Sequence, residues 1–131
     1  MAVISKYLIY VVEDDEDDRF LLQRALTLQS VACSLRFFTH GADLFTQLTH
    51  QLDGRLPDLI ILDLNTPIMN GFESLQLLKQ LPDYQHIPVL VRTGQETLES
   101  INRCYELGCH AYLTKKDFTL PLAQMASMRL Q

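Results

Sequence analysis

Carboxylates follow two strongly apolar stretches of the sequence, and this pairing is its clearest sign of chemistry. The run Leu59–Leu62 ends at Asp63, and the run Tyr7–Val12 is followed by Glu13 and Asp14. Apolar runs without alternation indicate strands buried on both faces of a sheet. The carboxyl ends of parallel strands meet at one edge, where open α/β sheets bind ligands. Repulsion between the carboxylates predicts a bound cation, and hard oxygen ligands favour Mg²⁺.

Two further predicted strands supply groups that complement the acids. Thr93 lies just beyond the apolar segment Ile87–Val91, and Lys115 follows the segment His110–Thr114. Lys115 would add a fixed positive charge and Thr93 a hydroxyl donor, which together with a metal ion suit a phosphoryl group. The Asp63 carboxylate could then attack phosphorus and form an acyl phosphate. Such a site works by positioning and charge neutralisation.

Each of these residues also has a plainer interpretation. Asp63 could only cap the turn that follows its strand. The six carboxylates of Glu13–Asp18 could be a solvated helix-capping run, and we assign Glu16–Asp18 to that role. Thr93 could be a turn residue and Lys115 a surface lysine. The functional interpretation is preferred because all four groups fall where one pocket would need them.

Five apolar strands alternate with five helical segments, which predicts a doubly wound parallel sheet with helices on both faces. The predicted strands are Tyr7–Val12, Leu35–Phe38, Asp58–Asp63, Ile87–Val91 and His110–Thr114. The first predicted helix is Phe20–Leu28, capped by Asp17 or Asp18, and the second has an apolar stripe at Ala42, Leu44, Phe45, Leu48 and Leu52. The third is Gly71–Leu81, the fourth is Glu96–Leu107 with Gly108 as its C-terminal cap, and the last begins at Leu120. The predicted inward residues are Leu21, Leu22, Ala25 and Leu26 in the first helix, Phe72, Leu75, Leu77 and Leu78 in the third, and Leu98, Ile101 and either Cys104 or Tyr105 in the fourth.

Length and composition limit the class of protein. The 131 residues match one domain, 1–131, and no apolar run approaches the ~20 residues that span a bilayer. No cleavage pattern follows the first strand, so we expect a cytoplasmic protein. The net charge of −5 argues weakly against binding nucleic acid. The three cysteines lack metal-ligand spacing and are expected to be reduced core residues.

Four motifs together resemble the receiver domain of two-component response regulators, the CheY-like family. They are Val-Val-Glu-Asp-Asp ending the first strand, Leu-Asp-Leu-Asn-Thr-Pro-Ile-Met-Asn-Gly from Leu62, Thr93, and Tyr112-Leu-Thr-Lys. The resemblance spans essentially the whole chain and implies a flavodoxin-like fold with strand order 2-1-3-4-5, for which CheY itself is a standard example. It implies a signalling phosphoacceptor, not an enzyme acting on other substrates, that takes a phosphoryl group from a histidine kinase or a phosphotransfer protein.

The resemblance assigns a role to each site residue. Asp63 resembles the phosphoacceptor, Asp14 the direct metal ligand and Glu13 its water-mediated companion. Asn65 resembles the residue that offers a backbone carbonyl to Mg²⁺. Thr93 and Lys115 resemble the phosphate-sensing hydroxyl and the counter-ion. Tyr112 resembles an aromatic switch that follows Thr93, although a packed aromatic is the plainer alternative.

Several positions depart from the family pattern. Lys116 stands where a proline usually follows the lysine, which puts the aim of Lys115 in question. Gly94 replaces a usual Ala or Ser, and Asn70 replaces an aspartate with a mild expected effect. Arg92 occupies a commonly apolar strand position, where it either points toward the site or pairs with the acids. Lys116 and Gly94 favour an alternative function, a degenerate receiver that binds partners without phosphorylation.

The resemblance also bears on partners and on a third function. A true hydrolase passing through an aspartyl phosphate is disfavoured because Asn65 stands where such enzymes carry an acid. The absence of an effector domain resembles stand-alone receivers, and the acidic run together with Ile87-Pro88-Val89 resembles the phytochrome-associated subgroup. An unidentified downstream protein is the expected partner. Apolar residues of the last helix make a homodimer through helix 4, strand 5 and helix 5 a candidate arrangement; they are Leu120, Leu122, Met125 and Met128.

Overall fold

The computed structural model describes residues 7–27, 33–94 and 97–115. The strands are β1 (Tyr7–Val12), β2 (Cys33–Phe38), β3 (Leu59–Asp63), β4 (Val89–Thr93) and β5 (Ala111–Thr114), and the helices are α1 (Glu16–Thr27), α2 (Gly41–His50), α3 (Gly71–Gln80) and α4 (Leu98–Glu106). All strand pairs are parallel, in the order β2-β1-β3-β4-β5. This confirms the predicted flavodoxin-like sheet. The predicted last helix, with Leu120, Leu122, Met125 and Met128, lies outside the described residues.

Two apolar layers hold the sheet because β1, β3 and β4 are buried on both faces. The first layer packs one face against α2, α3 and α4, with Leu44, Leu75 and Cys104 fully buried. The second layer packs the other face against α1 through Leu22 and Leu26. The edge strands β2 and β5 are only partly buried. The central strands therefore lie in the core, and the two edge strands lie at its border.

The start of α1 corrects the prediction. The helix begins at Glu16, not Phe20, and its cap is neither Asp17 nor Asp18. Instead, Asp15 Oδ1 accepts a hydrogen bond of 3.0 Å from the Asp18 amide. The acidic run is tolerated inside the first turn because negative charge is favourable at a helix N-terminus.

Other differences concern strand and helix edges. β4 starts two residues later than predicted, because the Ile87 amide still bonds Tyr84 in a turn. Leu52 lies beyond α2 and is 67% exposed, so it is not part of the helix stripe. On α4, Cys104 is the buried residue, whereas Leu98 and Tyr105 are exposed. Other observed boundaries differ from the predicted ones by one or two residues. β2 begins at Cys33, β3 at Leu59 and β5 at Ala111, whereas α1 ends at Thr27, α3 ends at Gln80, and α4 spans Leu98–Glu106.

Local signals at two helix ends are confirmed. Asn70 accepts from the Glu73 amide at 2.9 Å in a capping box, so the asparagine still starts α3. Gly108 has φ +100 just after α4, a conformation that favours glycine. The three cysteines are free, and Cys104 and Cys109 are buried as expected. None of the helices in the described ranges is both long and apolar enough to cross a membrane.

Gly71 is needed for close packing under the end of β3, not for a special backbone angle. A Cβ at this position would lie 2.7 Å from both the Asp63 carbonyl oxygen and Leu64 Cα. These are backbone atoms of the strand end, which cannot yield as a flexible side chain can. The Gly71 amide also donates to the Leu64 carbonyl at 3.2 Å. The helix therefore starts in direct contact with the segment that presents Asp63.

We predict that Gly71→Ala lowers the free energy of unfolding by about 1–3 kcal/mol, the usual cost of overpacking. Chemical denaturation would measure it. Gly94→Ala is the matched control, because a Cβ there meets no atom within 4 Å in the described part of the chain. Equal stability of Gly71→Ala and the control would refute this packing argument.

Candidate functional site

The charged side chains at the sheet edge share one face of the sheet. In β1, β3 and β4, every second residue belongs to the layer that packs against α1. Continuing that alternation to the strand ends brings Glu13, Asp63 and Arg92 onto the same face. The register agrees, since Asp63 pairs directly with Arg92. The strand pattern alone thus gathers acids and a cation beside the start of α1.

Three carboxylates form a compact cluster at this edge. Oxygens of Glu13, Asp14 and Asp63 lie within 4.8 Å of one another, as the sequence predicted. Glu13 and Asp63 are 2% and 4% exposed, whereas Asp14 is exposed to solvent. Asn65 is close by, and its backbone amide donates a hydrogen bond of 3.1 Å to Asp63 Oδ1. Like charges this close favour a nearby cation, and the three carboxylates could hold a divalent metal ion.

Lys115 provides one fixed cation of the cluster. Its Nζ lies 2.9 Å from Glu13 Oε1 and 3.1 Å from Asp63 Oδ2. Its amide donates to the Thr93 carbonyl at 2.8 Å, which ties the end of β5 to the end of β4. The predicted placement of Lys115 beside Asp63 is thus observed, although its neighbour Lys116 lies outside the described residues. Lys115 is therefore close enough to Asp63 to neutralise charge on a group attached to that carboxylate.

Sharing one lysine among several acids perturbs both partners. Burial alone would lower the pKa of Lys115, but hydrogen bonds to Asp18 and Glu13 and the charge of Asp63 outweigh it and raise that pKa. Burial raises the pKa of Glu13 to about 7, opposed by its hydrogen bond with Lys115 and reinforced by the charge of Asp63. Lys115 is therefore held as a cation, whereas burial makes the charged form of Glu13 costly.

Arg92 is a second cation, buried within the sheet. It is 2% exposed, and its Nη1 lies 3.9 Å from Glu13 Oε1, so of the two predicted alternatives it pairs with the acids. Its Nε and Nη2 have no hydrogen-bond partner among the described atoms. Within the described ranges, and including Asp18, four carboxylates lie near the two cations that pair with this cluster, Lys115 and Arg92. A divalent metal ion would balance that difference.

Thr93 and Tyr112 lie where the sequence placed them. Thr93 is fully buried at the end of β4, and Tyr112 is partly buried on β5 against the first apolar layer. Their strands pair directly, with Val91 opposite Tyr112. The two residues therefore lie on adjacent, paired strands.

Asp18 is the site residue that the sequence interpretation missed. It was assigned to solvated capping charge, yet its Oδ2 lies 2.7 Å from Lys115 Nζ. A signal for this was present. Asp18, Leu22 and Leu26 are spaced by four residues, and both leucines are buried. Helical periodicity therefore places Asp18 on the inward face of α1.

The pKa of Glu13 predicts a pH dependence of stability. Between pH 4.5, the ordinary value, and about 7, the folded chain retains a proton that the unfolded chain has lost. The free energy of unfolding therefore falls as pH rises through this window, by at most about 3 kcal/mol. Denaturation at several pH values without divalent ions would measure it. Glu13→Gln should flatten this component and exposed Glu106→Gln should not; equal slopes in both would refute the assignment.

A comparison with known families matches most of the chain. The model of the response regulator receiver domain matches residues 9–124. Response regulator Rcp1 of Synechocystis sp. is 36% identical over 110 residues, covering 82% of this chain and 75% of Rcp1. The transcriptional regulator NtrC of Proteus hauseri is 31% identical over 121 residues, but the chain spans only 24% of that relative.

Solved structures agree with the fold. The Mn²⁺-bound form of Rcp1 has a TM-score of 0.78 at 31% identity, covering 94% of this chain and 88% of that one. The phosphorylated cyanobacterial phytochrome response regulator RcpA has a TM-score of 0.77 at 30% identity, with the same coverage. The alternative of a degenerate receiver finds no support in these matches. The resemblance to phytochrome-associated regulators is confirmed.

Proposed function

Because this chain belongs to the family of response regulator receiver domains, we propose that Asp63 is the residue that accepts its phosphoryl group. Receivers of this family are phosphoacceptors of two-component signalling, and this chain is one of them. The observation that supports Asp63 is its position. It is a buried carboxylate at the end of a central strand, 3.1 Å from the Lys115 ammonium and within the three-carboxylate cluster.

The chemistry is an in-line transfer to a carboxylate. An oxygen of Asp63 attacks phosphorus, the bond to the donor breaks, and the donor atom leaves with the electron pair. In this proposal Lys115 neutralises charge on the phosphoryl oxygens, and Thr93 donates its hydroxyl to one of them. The Asn65 amide holds the carboxylate in orientation through its 3.1 Å bond.

A divalent ion fits the remaining charge, and we assign it to Mg²⁺ held by Glu13, Asp14 and Asp63, with the Asn65 carbonyl as a further ligand. When bound, it would neutralise phosphoryl charge beside Lys115. The Rcp1 structure contains Mn²⁺, which supports a divalent site in this family. The choice of Mg²⁺ rests on its preference for carboxylates and retained waters.

The phosphoryl donor in this proposal is a histidine kinase or a phosphotransfer protein, the partners of receiver domains. A change at Thr93 followed by Tyr112 carries the signal to an unidentified protein. A homodimer through α4, β5 and the last helix remains a prediction, supported by exposed Leu98 and Tyr105 on α4. The single-domain arrangement and the cytoplasmic location also remain predictions from the sequence.

The test is phosphorylation by acetyl phosphate, a small acyl phosphate that needs no kinase. With Mg²⁺, the intact mass of the protein should rise by one phosphoryl group, and chelation of the metal should prevent the rise. The variant Asp63→Asn should gain no mass. Its matched control, Asp17→Asn at an exposed position, should behave as the wild type. A protein that gains no mass, or gains it equally without divalent ions, would contradict the proposal.

A further inference from the structure

The nearest partner of the site lysine lies on a helix and not at the sheet edge. Lys115 Nζ contacts Asp18 Oδ2 at 2.7 Å, closer than Glu13 at 2.9 Å or Asp63 at 3.1 Å. An ammonium has three N–H donors, and here each faces one carboxylate. Lys115 keeps its contact with Asp63 while bound to Asp18, so the two acids hold it together and do not compete for it.

Asp18 stands on firm support. It lies one helical turn before Leu22, which is fully buried beneath α1. Its amide is bonded to Asp15 Oδ1 at 3.0 Å. The next residue, Arg19, donates from Nε to the Glu13 carbonyl at 2.6 Å, which fixes the first turn of α1 to the end of β1.

Lys115 has weaker support of its own. It follows β5, a short edge strand that is only partly buried. Within the described residues, its backbone is held by the bond from its amide to Thr93. Its side chain has several rotatable bonds, so ordering the ammonium costs conformational entropy. The position of that ammonium is therefore defined by the carboxylates that hold it.

We propose that Asp18 is a positioning residue for Lys115, holding the ammonium where a phosphoryl group on Asp63 would meet it. The inference rests on the proposed function of Asp63. In this role Asp18 acts through Lys115, which it contacts at 2.7 Å. Misplacing a catalytic group by about 1 Å is costly, so loss of Asp18 should slow phosphorylation about tenfold.

The experiment compares initial rates of phosphorylation by acetyl phosphate at a fixed Mg²⁺ concentration. Asp18→Asn should be about tenfold slower than wild type, whereas its neighbour Asp17→Asn should stay within about twofold. A double-mutant cycle then tests the route of action. In a Lys115→Met background, adding Asp18→Asn should change the rate by less than about twofold, because the residue it positions is gone.

A second readout does not depend on phosphorylation. The ¹H–¹⁵N signal of the Lys115 ammonium, identified by its loss in Lys115→Met, should be visible in wild type and Asp17→Asn but broadened by exchange in Asp18→Asn. If the wild type takes up no phosphoryl group, the proposed function fails while this signal still decides the role of Asp18. An unchanged signal, a wild-type rate in folded Asp18→Asn, or additive effects in the cycle would overturn the inference.

Discussion

Asp63→Asn should take up no phosphoryl group from acetyl phosphate under conditions that phosphorylate the wild type. An amide is a poor nucleophile toward phosphorus, so the variant lacks the group that forms the new bond. The neighbouring acids are placed differently from Asp63, because Asp14 is exposed and Glu13 lies near Arg92 as well as Lys115, so we expect no uptake at either. The expected effect is loss of the whole signal in intact mass.

The fold should survive this change. Asparagine keeps an oxygen that can accept from the Asn65 amide, and it removes one negative charge from a crowded cluster. Denaturation should therefore show that Asp63→Asn is no less stable than the wild type. A folded Asp63→Asn protein that still gains a phosphoryl group would place the acceptor elsewhere.

Lys115→Met should have the second largest effect, slowing phosphorylation about 10²-fold. Removing one preorganised donor from a site that stabilises negative charge typically has this consequence. Methionine retains much of the length of the side chain but lacks the ammonium that lies 3.1 Å from Asp63. Initial rates followed by intact mass at saturating Mg²⁺ would measure the effect.

Lys115→Arg separates charge from geometry in the same assay. The guanidinium keeps the positive charge but carries its donors in a rigid planar fork, which does not reproduce the three donors of a single ammonium nitrogen. Its rate should lie between those of wild type and Lys115→Met. Equal rates for wild type and Lys115→Met would mean that the lysine is not part of the phosphorylation machinery.

The sheet and the three-carboxylate cluster were predictable from sequence because both follow from a strong local pattern. Long apolar runs specify buried parallel strands, and parallel strands carry their last residues to one edge. Once Asp63 ended β3 and Glu13 followed β1, their meeting required no further information. The positions of Thr93 and Lys115 follow from the same argument.

The role of Asp18 could not be taken from strand patterns, because it depends on how α1 rotates against the sheet. The spacing of Asp18 with Leu22 and Leu26 becomes informative only once α1 is known to begin at Glu16, within the acidic run, and not at the predicted Phe20. Arg92 is a similar case. The sequence left open whether it points toward the site or pairs with the acids, and only the structure shows its contact with Glu13. Leu98 and Tyr105 followed the helical spacing expected of core residues, yet the packing of α4 leaves both exposed.

The central claim is that the phosphoryl group resides on Asp63, and chemical trapping tests it most directly. The wild-type protein is phosphorylated with acetyl phosphate and Mg²⁺, reduced with borohydride and sequenced by tandem mass spectrometry. Borohydride converts an aspartyl phosphate to homoserine, so homoserine should appear at position 63 and nowhere else. Homoserine at another aspartate, or a phosphorylated protein with unmodified aspartate at 63, would contradict the assignment of this site.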